Sequence, residues 1–168
     1  MNLLSLAIYL RNQPVTISIT TATATDIPAI AELEQHYYQQ EGYPAGFLYQ
    51  ALRQWPAALW VAQNENQLMG YALIAPAQSE QGSAAEPWLM ALLVAAAGRG
   101  KGIGRKLCEA AINHCRGQGQ QGLWLSVAEY NQAAMQLYLS LGFETIELRK
   151  DFLGPGEDRL LMRLALQR

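Results

Sequence analysis

The sequence predicts a single domain of the α/β or α+β class. The 168-residue chain is 51% hydrophobic, helical and strand-like patterns alternate along it, and no repeat or low-complexity linker divides it. A chain of this length buries roughly two-thirds of the surface that it exposes when unfolded. Interleaved patterns of both kinds favour a sheet packed against helices. We therefore expect one domain over residues 1–168, with residues 1–14 as an N-terminal extension.

The predicted elements follow in chain order. Residues 15–19 alternate with a period of two, which indicates a strand, and Thr25-Asp26-Ile27-Pro28 places a proline in the first turn of a capped helix. A second short helix is expected over 46–55. The later elements are a hairpin of strands over 59–63 and 67–75, a polar loop over 78–85, a buried strand over 88–94, a helix over 102–116, a strand over 123–127, a helix over 131–141 and a closing pair of strands over 145–149 and 159–165.

Composition and charge exclude several classes of function. Twelve basic and fourteen acidic residues give a net charge of -2, so the chain lacks the positive excess that binds nucleic acid or an anionic membrane. Residues 1–10 are apolar but shorter than the ~20 residues of a membrane span, which favours an extra helical turn or a misassigned start over an anchor. Cys108 and Cys115 are expected to be buried thiols of a cytoplasmic protein.

The most informative stretch is Arg99-Gly100-Lys101-Gly102-Ile103-Gly104, followed by Arg105, because it lies between a predicted strand and a predicted helix. Glycine lets the backbone approach a ligand closely, and the first turn of a helix offers unpaired N–H groups. The stretch therefore predicts a phosphate site. A Walker A loop would need Ser or Thr where Gly102 stands, and the dinucleotide spacing Gly-x-Gly-x-x-Gly fails in every frame.

The spacing Arg-x-x-Gly-x-Gly, with Val94 five residues upstream of Arg99, resembles the acetyl-CoA loop of the GNAT (GCN5-related) superfamily of N-acetyltransferases. Asn131, Tyr138 and Leu141-Gly142-Phe143-Glu144 are similar to a second motif of that family, and the resemblance covers about residues 15–166. It implies a mixed, mostly antiparallel sheet of about six or seven strands, splayed at its centre and flanked by about four helices.

The resemblance also implies roles for individual residues. Leu92, Leu93 and Val94 would pair with the pantetheine arm of acetyl-CoA as an added strand does, and the Val94 N–H would stabilise the oxyanion. Tyr138 would protonate the departing thiolate. Acetyl-CoA is the implied cosubstrate, and no metal is implied. The implied acetyl-CoA site comprises Leu92, Leu93, Val94, Arg99, Gly100, Lys101, Gly102, Ile103, Gly104, Arg105, Asn131 and Tyr138.

The general base stays open at the level of sequence. Direct transfer needs a neutral amine, so some group must accept its proton. Glu86 is our candidate, because its position thirteen residues before Arg99 resembles that of the catalytic glutamate in the histone acetyltransferase branch. Glu129 and an ordered water are the alternatives. Ribosomal-protein N-terminal acetyltransferases carry a glutamate five residues before the motif asparagine, and Ser126 stands there instead.

The acceptor also stays open among a small amine, an amino acid and a protein N-terminus. Residues 150–162 resemble the closing hairpin of protein N-terminal acetyltransferases, although Asp151-Phe152 replace its tyrosine pair while Glu157-Asp158 remain. We expect an acetyl-CoA-dependent N-acetyltransferase. A non-catalytic acyl-CoA-binding module is the alternative, and both a monomer and a homodimer fit the sequence. Residues expected near the acceptor are His36, Tyr37, Tyr38, Glu41 and Tyr43.

Overall fold

The computed structural model describes residues 16–65, 67–77 and 85–166. The expected extension over 1–14 and most of the expected loop over 78–85 lie outside these residues. The strands are β1 (Ser18–Thr21), β2 (Leu59–Asn64), β3 (Gln67–Ala75), β4 (Trp88–Val94), β5 (Gly122–Val127), β6 (Glu144–Arg149) and β7 (Arg159–Ala165). The helices are α1 (Ile27–Tyr38), α2 (Ala45–Gln54), α3 (Ile103–Gly117) and α4 (Gln132–Ser140).

The seven strands form one sheet in the order β1-β2-β3-β4-β5-β7-β6. Every neighbouring pair is antiparallel except β4 and β5, which are parallel. These two strands pair only at Trp88 with Trp124 and Leu89 with Leu125, although β4 continues to Val94. The sheet therefore opens at its centre, and we call the space between the diverging ends of β4 and β5 the central gap. The predicted splayed sheet with four helices is confirmed.

Helices cover both faces of the sheet. On one face, α1 and α2 bury Ile27, Ile30 and Leu48 against Tyr71 and Leu73 of β3. On the other, α3 and α4 pack in a second core. The members of that second core that fix α3 and α4 against the sheet are Leu107, Cys108, Ala111, Cys115, Leu123, Leu125 and Tyr138.

Both cysteines are buried on α3, as expected from the sequence. Burial raises the pKa of the Cys115 thiol to about 11 and that of Cys108 to about 12. Both therefore stay protonated near neutral pH, and neither has the character of a nucleophile. Within the three described ranges, no helix is long and apolar enough to cross a membrane.

Candidate active site

The edge of β4 that faces the central gap offers backbone hydrogen-bonding groups. In an antiparallel pair, successive residues direct these groups to opposite sides. The Ala95 N–H donates to the Met69 carbonyl of β3 at 2.9 Å, and the same register pairs Leu93 with Tyr71. Leu93 therefore bonds to β3, whereas Leu92 and Val94 direct their N–H and C=O groups into the gap. This corrects the expectation for Leu93, whose backbone is not available to an acyl-CoA arm.

A β-bulge in β4 marks the start of the divergence. The register with β3 changes between Leu73 opposite Ala91 and Ile74 opposite Leu89, so Met90 has no partner on β3. A bulge bends the strand and turns a side chain to a new direction, and it often lies beside a site of chemistry. The Met90 side chain is partly exposed. The bulge thus lies where the paired stretch of β4 and β5 ends.

The glycine loop follows β4 through a 3-10 turn at Ala96–Gly98. Gly100 and Gly102 have φ angles of 72° and 73°, a left-handed conformation that favours glycine. The first helical N–H to bond back is that of Lys106, which donates to the Gly102 carbonyl at 3.1 Å. The preceding N–H groups of the first turn of α3, at residues 103–105, have no carbonyl one turn earlier to bond. These are the N–H groups that the predicted phosphate site would use, and we call them the anion cradle.

Gly104 brings the start of α3 close to both β4 and α4. A Cβ at this position would lie 3.3 Å from Leu137 Cδ2 and 3.7 Å from Val94 Cγ2. Only a residue without a side chain, or with a very small one, allows this approach. The glycine therefore places the anion cradle directly beside the gap-facing end of β4 and the helix that carries Tyr138.

Basic residues around the loop differ in their partners. Arg99 is exposed; its Nε donates to the Val94 carbonyl at 3.4 Å. Arg105 Nη2 donates to Ser140 Oγ at 2.6 Å, so it links α3 to α4. Lys101 is exposed at the tip of the loop. Arg99 and Lys101 are therefore the two side chains best placed to meet an anion, while Arg105 also has a structural contact.

Asn131 is the N-cap of α4, and Tyr138 lies in the C-terminal half of that helix. Asn131 Oδ1 accepts a hydrogen bond from the Ala134 N–H at 3.2 Å and caps the helix. Tyr138 is buried, and this burial raises the pKa of its hydroxyl above the ordinary value. The hydroxyl therefore keeps its proton at neutral pH, as a proton donor must.

Glu86 does not fit the role of general base, which corrects the expectation from its spacing. Arg163 donates to both of its carboxylate oxygens at 2.7 Å, and Trp124 Nε1 donates to Oε2 at 2.7 Å. The bonds from Arg163, with that from Trp124, lower the pKa of Glu86 despite its burial. Glu86 is also distant from the central gap, which begins near Met90. Four residues of extended chain separate Glu86 from Met90, a distance of about 13 Å. Its ion pair instead joins the start of β4 to β5 and β7.

A buried carboxylate that sequence reasoning did not single out is Glu34 of α1. It is 3% exposed, accepts a hydrogen bond from the Tyr71 hydroxyl at 2.6 Å and another from the Tyr43 N–H at 2.8 Å. Burial and the charge of Glu34 raise the pKa of Tyr71. These bonds fix the segment after α1 to β3. The available signal was a glutamate seven residues after Ile27, on the apolar face of the helix.

The end of α1 lies close to the start of the glycine loop, because the Ala96 N–H donates to the Tyr37 hydroxyl at 2.7 Å. Tyr38 is half exposed, and the pKa of its hydroxyl is raised by partial burial, then by the nearby charge of Glu34. Arg99, Arg159 and Tyr138 are also within electrostatic range of Tyr38. Of the other residues expected near the acceptor, His36 and Glu41 are exposed, and Tyr37 and Tyr43 are half-buried. Glu129, the alternative base, is exposed, and Ser126 is half-buried.

Three aromatic side chains, Trp88, Trp124 and Phe152, form what we call the aromatic patch. The Trp88 ring stacks on Trp124 with centroids 5.8 Å apart and on Phe152 with centroids 6.4 Å apart. Leu123 and Leu125 point into the core under α3, so Trp124 between them points to the α1 face. Neither of the two cores in the described ranges includes any member of the patch.

The loop between β6 and β7, residues 150–158, holds Phe152 on the patch. Asp151 Oδ1 accepts a hydrogen bond from the Gly156 N–H at 2.6 Å, and Asp158 Oδ1 accepts one from the Asp151 N–H at 2.9 Å. These bonds close the loop on itself. Phe152 therefore packs on Trp88 at the paired end of β4.

Residues 27–143 match the Acetyltransferase (GNAT) family. The chain is 28% identical over 142 residues to N-acetyltransferase 8F1 of Rattus norvegicus, covering 84% of this chain and 56% of that protein. It is 32% identical over 136 residues to the uncharacterized N-acetyltransferase YjgM of Escherichia coli, covering 74% of this chain and 80% of that protein. The chain belongs to the GNAT acetyltransferase family. It spans only about half the length of the rat relative.

The fold is also that of solved acetyltransferases. The structure described as the NatC complex bound to Gag peptide and CoA aligns with a TM-score of 0.80 at 21% identity, over 90% of this chain and 99% of that one. This likeness concerns the fold. Among the side chains of residues 16–65, 67–77 and 85–166, no group of three or more His, Cys, Asp or Glu could hold a metal ion.

Proposed function

We propose that the protein is an N-acetyltransferase that moves an acetyl group from acetyl-CoA directly to a primary amine. One observation carries the proposal: the gap-facing backbone of Leu92 and Val94 lies next to the anion cradle of α3, with Tyr138 on the neighbouring helix α4. Family membership and the CoA bound in a structure of the same fold support it.

The residues present fit the parts of acetyl-CoA. The N–H groups at 103–105 and the loop around Gly100 and Gly102 would hold the pyrophosphate, with positive charge from Arg99 and Lys101. Leu92 and Val94 would pair with the amide groups of the pantetheine arm, because their own backbone groups face the gap. Asn131 would add a hydrogen bond from the start of α4. Acetyl-CoA supplies the activated acyl group as a thioester.

The transfer joins the amine nitrogen to the acetyl carbon and breaks the carbon–sulfur bond. The Val94 N–H would donate to the carbonyl oxygen as negative charge develops on it. Tyr138 would give its proton to the departing sulfur and recover one from solvent. The proton of the attacking amine must also leave. Since Glu86 is held by Arg163, we assign that proton to ordered water, with Glu129 as the carboxylate alternative.

The aromatic patch favours an acceptor with a large apolar side chain next to its amine, such as an amino acid or a peptide N-terminus. Trp88 of the patch lies two residues before the Met90 bulge, where β4 and β5 diverge, and it stacks on Phe152. An amine that reaches the gap would therefore place its neighbouring side chain near a partly exposed aromatic surface. Burial of a large apolar side chain contributes about 1.5–3 kcal/mol, so the patch would select among acceptors.

The test is a panel assay for CoA release and for the acetylated product. Wild-type protein is incubated with acetyl-CoA and peptides that differ only in their first residue, with Leu, Phe and Met against Ser and Gly. We expect CoA and acetyl-peptide in equal amounts, with the apolar first residues at least tenfold better in kcat/KM. Acetyl-CoA binding without turnover on any amine would instead support the binding module. Equal rates for all first residues would refute the proposed acceptor class alone.

Location is a separate proposal. The two buried, unpaired thiols suit a reducing compartment, and we propose that the protein is cytoplasmic. Cell fractionation tests this directly.

A further inference from the structure

Tyr37, in the last turn of α1, contacts the segment that joins β4 to the glycine loop. Its hydroxyl oxygen accepts a hydrogen bond from the Ala96 N–H at 2.7 Å. The guanidinium carbon of Arg99 lies 4.9 Å from the centroid of the Tyr37 ring, a cation–π distance. One phenol therefore contacts both ends of the turn formed by residues 96–99.

The remainder of the last two turns of α1 belongs to the acceptor side. Tyr38 lies within electrostatic range of Tyr138 and Arg99, and Glu34 accepts a hydrogen bond from the Tyr43 N–H in the segment after the helix. The Tyr37 ring itself packs against the core under α1 and α2. A shift of the turn at 96–99 would therefore reach the acceptor side through Tyr37.

The turn is tightly packed toward the acetyl-CoA side. A Cβ at Gly98 would lie 2.9 Å from Ile103 Cδ1 and 3.1 Å from Val94 Cγ1, so the turn presses on both β4 and the first residue of α3. Arg99, while it rests on Tyr37, also places its Nε 3.4 Å from the Val94 carbonyl. A ligand that pairs with Val94 or draws Arg99 toward a phosphate must therefore change the surroundings of Tyr37.

We propose that Tyr37 is a positioning residue that couples acetyl-CoA binding at the glycine loop to the order of the acceptor-side segment, residues 34–43. The coupling runs through the Tyr37 hydroxyl to the Ala96 N–H. It is reciprocal, because a binding coupling between two sites acts equally in both directions. The inference rests on the proposed acetyl-CoA site and adds to it a physical link with the acceptor cleft.

The experiment is hydrogen–deuterium exchange of the full chain with and without CoA, in wild type and in Tyr37→Phe. The variant keeps the ring over Arg99 and removes the acceptor for the Ala96 N–H. In wild type, CoA is expected to slow exchange in residues 92–105 and in 34–43. In Tyr37→Phe, CoA should still slow exchange in residues 92–105 but no longer in residues 34–43. The Kd for CoA should rise two- to tenfold, the range that the loss of one hydrogen bond supports.

The control is Tyr49→Phe, which removes a hydroxyl from an exposed tyrosine on α2. It should match wild type in every reading. The coupling would be overturned if CoA protected residues 34–43 equally in wild type and Tyr37→Phe. It would also be overturned if CoA gave that segment no protection in wild type, a measurement that does not depend on whether the variant folds. Wild type that fails to bind CoA would overturn the proposed function as well, and calorimetry with CoA separates the two failures.

Discussion

The two sides of the central gap are built in different ways. The donor side uses backbone: the gap-facing groups of Leu92 and Val94, and the cradle of N–H groups at the start of α3. The acceptor side uses side chains brought from the end of α1, the start of β4, β5 and the loop between β6 and β7. Backbone geometry is insensitive to most substitutions, whereas a surface of side chains changes with each one. In the proposed function, the donor would therefore be held by the fold, and selectivity would belong to the acceptor side.

The largest expected effect separates chemistry from binding on the donor side. Tyr138→Phe removes the hydroxyl that would protonate the departing sulfur and leaves the buried ring in place. General acid catalysis contributes about 10²- to 10⁴-fold, so we expect kcat to fall by that factor. The Kd for acetyl-CoA should stay within about threefold, the effect of one weak hydrogen bond.

Steady-state kinetics and calorimetry together measure the two quantities for Tyr138→Phe. The matched control is Tyr130→Phe, whose ring is 79% exposed. A variant with unchanged kcat, or one that loses acetyl-CoA affinity as much as kcat, would show that Tyr138 is not the acid.

An intermediate effect is expected on the acceptor side. Phe152→Ala removes one end of the aromatic patch, and kcat/KM for peptides with a large apolar first residue should fall about tenfold, while Ser- and Gly-initiated peptides change little. Leu153→Ala is the control, because Leu153 is the next residue of the same loop and is 62% exposed. Equal losses for all peptides, or equal losses in both variants, would mean that the patch does not select the acceptor.

The contrast between the sides explains how much the sequence could predict. The glycine loop was predictable because its requirements are local: left-handed φ angles at Gly100 and Gly102, then a helix start, all within one short stretch. The Tyr138 helix was predictable for the same reason. The elements themselves were predictable because each carries its own period and end signals.

Long-range contacts account for what the sequence did not predict. Spacing suggested Glu86 as a base, but its protonation is decided by Arg163, which is 77 residues away in the chain. The backbone of Leu93 was expected to join its neighbours at the cofactor, yet the alternation of a strand already paired with β3 excludes it. The aromatic patch joins Trp88, Trp124 and Phe152 from three separate segments, and no local pattern reveals that they stack.

The smallest effect concerns stability. The folded state lowers the pKa of Glu86, so its ion pair stabilises the fold above the unfolded value of about 4.5 and loses that contribution as the pH falls through the folded value. Glu86→Gln should lower the free energy of unfolding at pH 7 by about 1–3 kcal/mol and make it depend less on pH below 4.5. Urea unfolding at several pH values measures this.

Activity of the same variant checks the assignment of the base. Glu86→Gln should keep kcat within about threefold at pH 7, because the carboxylate is assigned to the ion pair with Arg163 and not to the amine. A loss of two orders of magnitude in kcat with the fold intact would restore Glu86 as the general base.

Residue-resolved amide hydrogen exchange by NMR, with and without CoA, tests the central claim most directly, since it reads the gap-facing edge of β4 one residue at a time. Without CoA, the Leu92 and Val94 amides should exchange faster than the Leu93 amide, which bonds to β3. With CoA bound, Leu92 and Val94 should slow by at least tenfold while Leu93 changes little. Unchanged exchange at Leu92 and Val94 in the presence of saturating CoA would contradict the account.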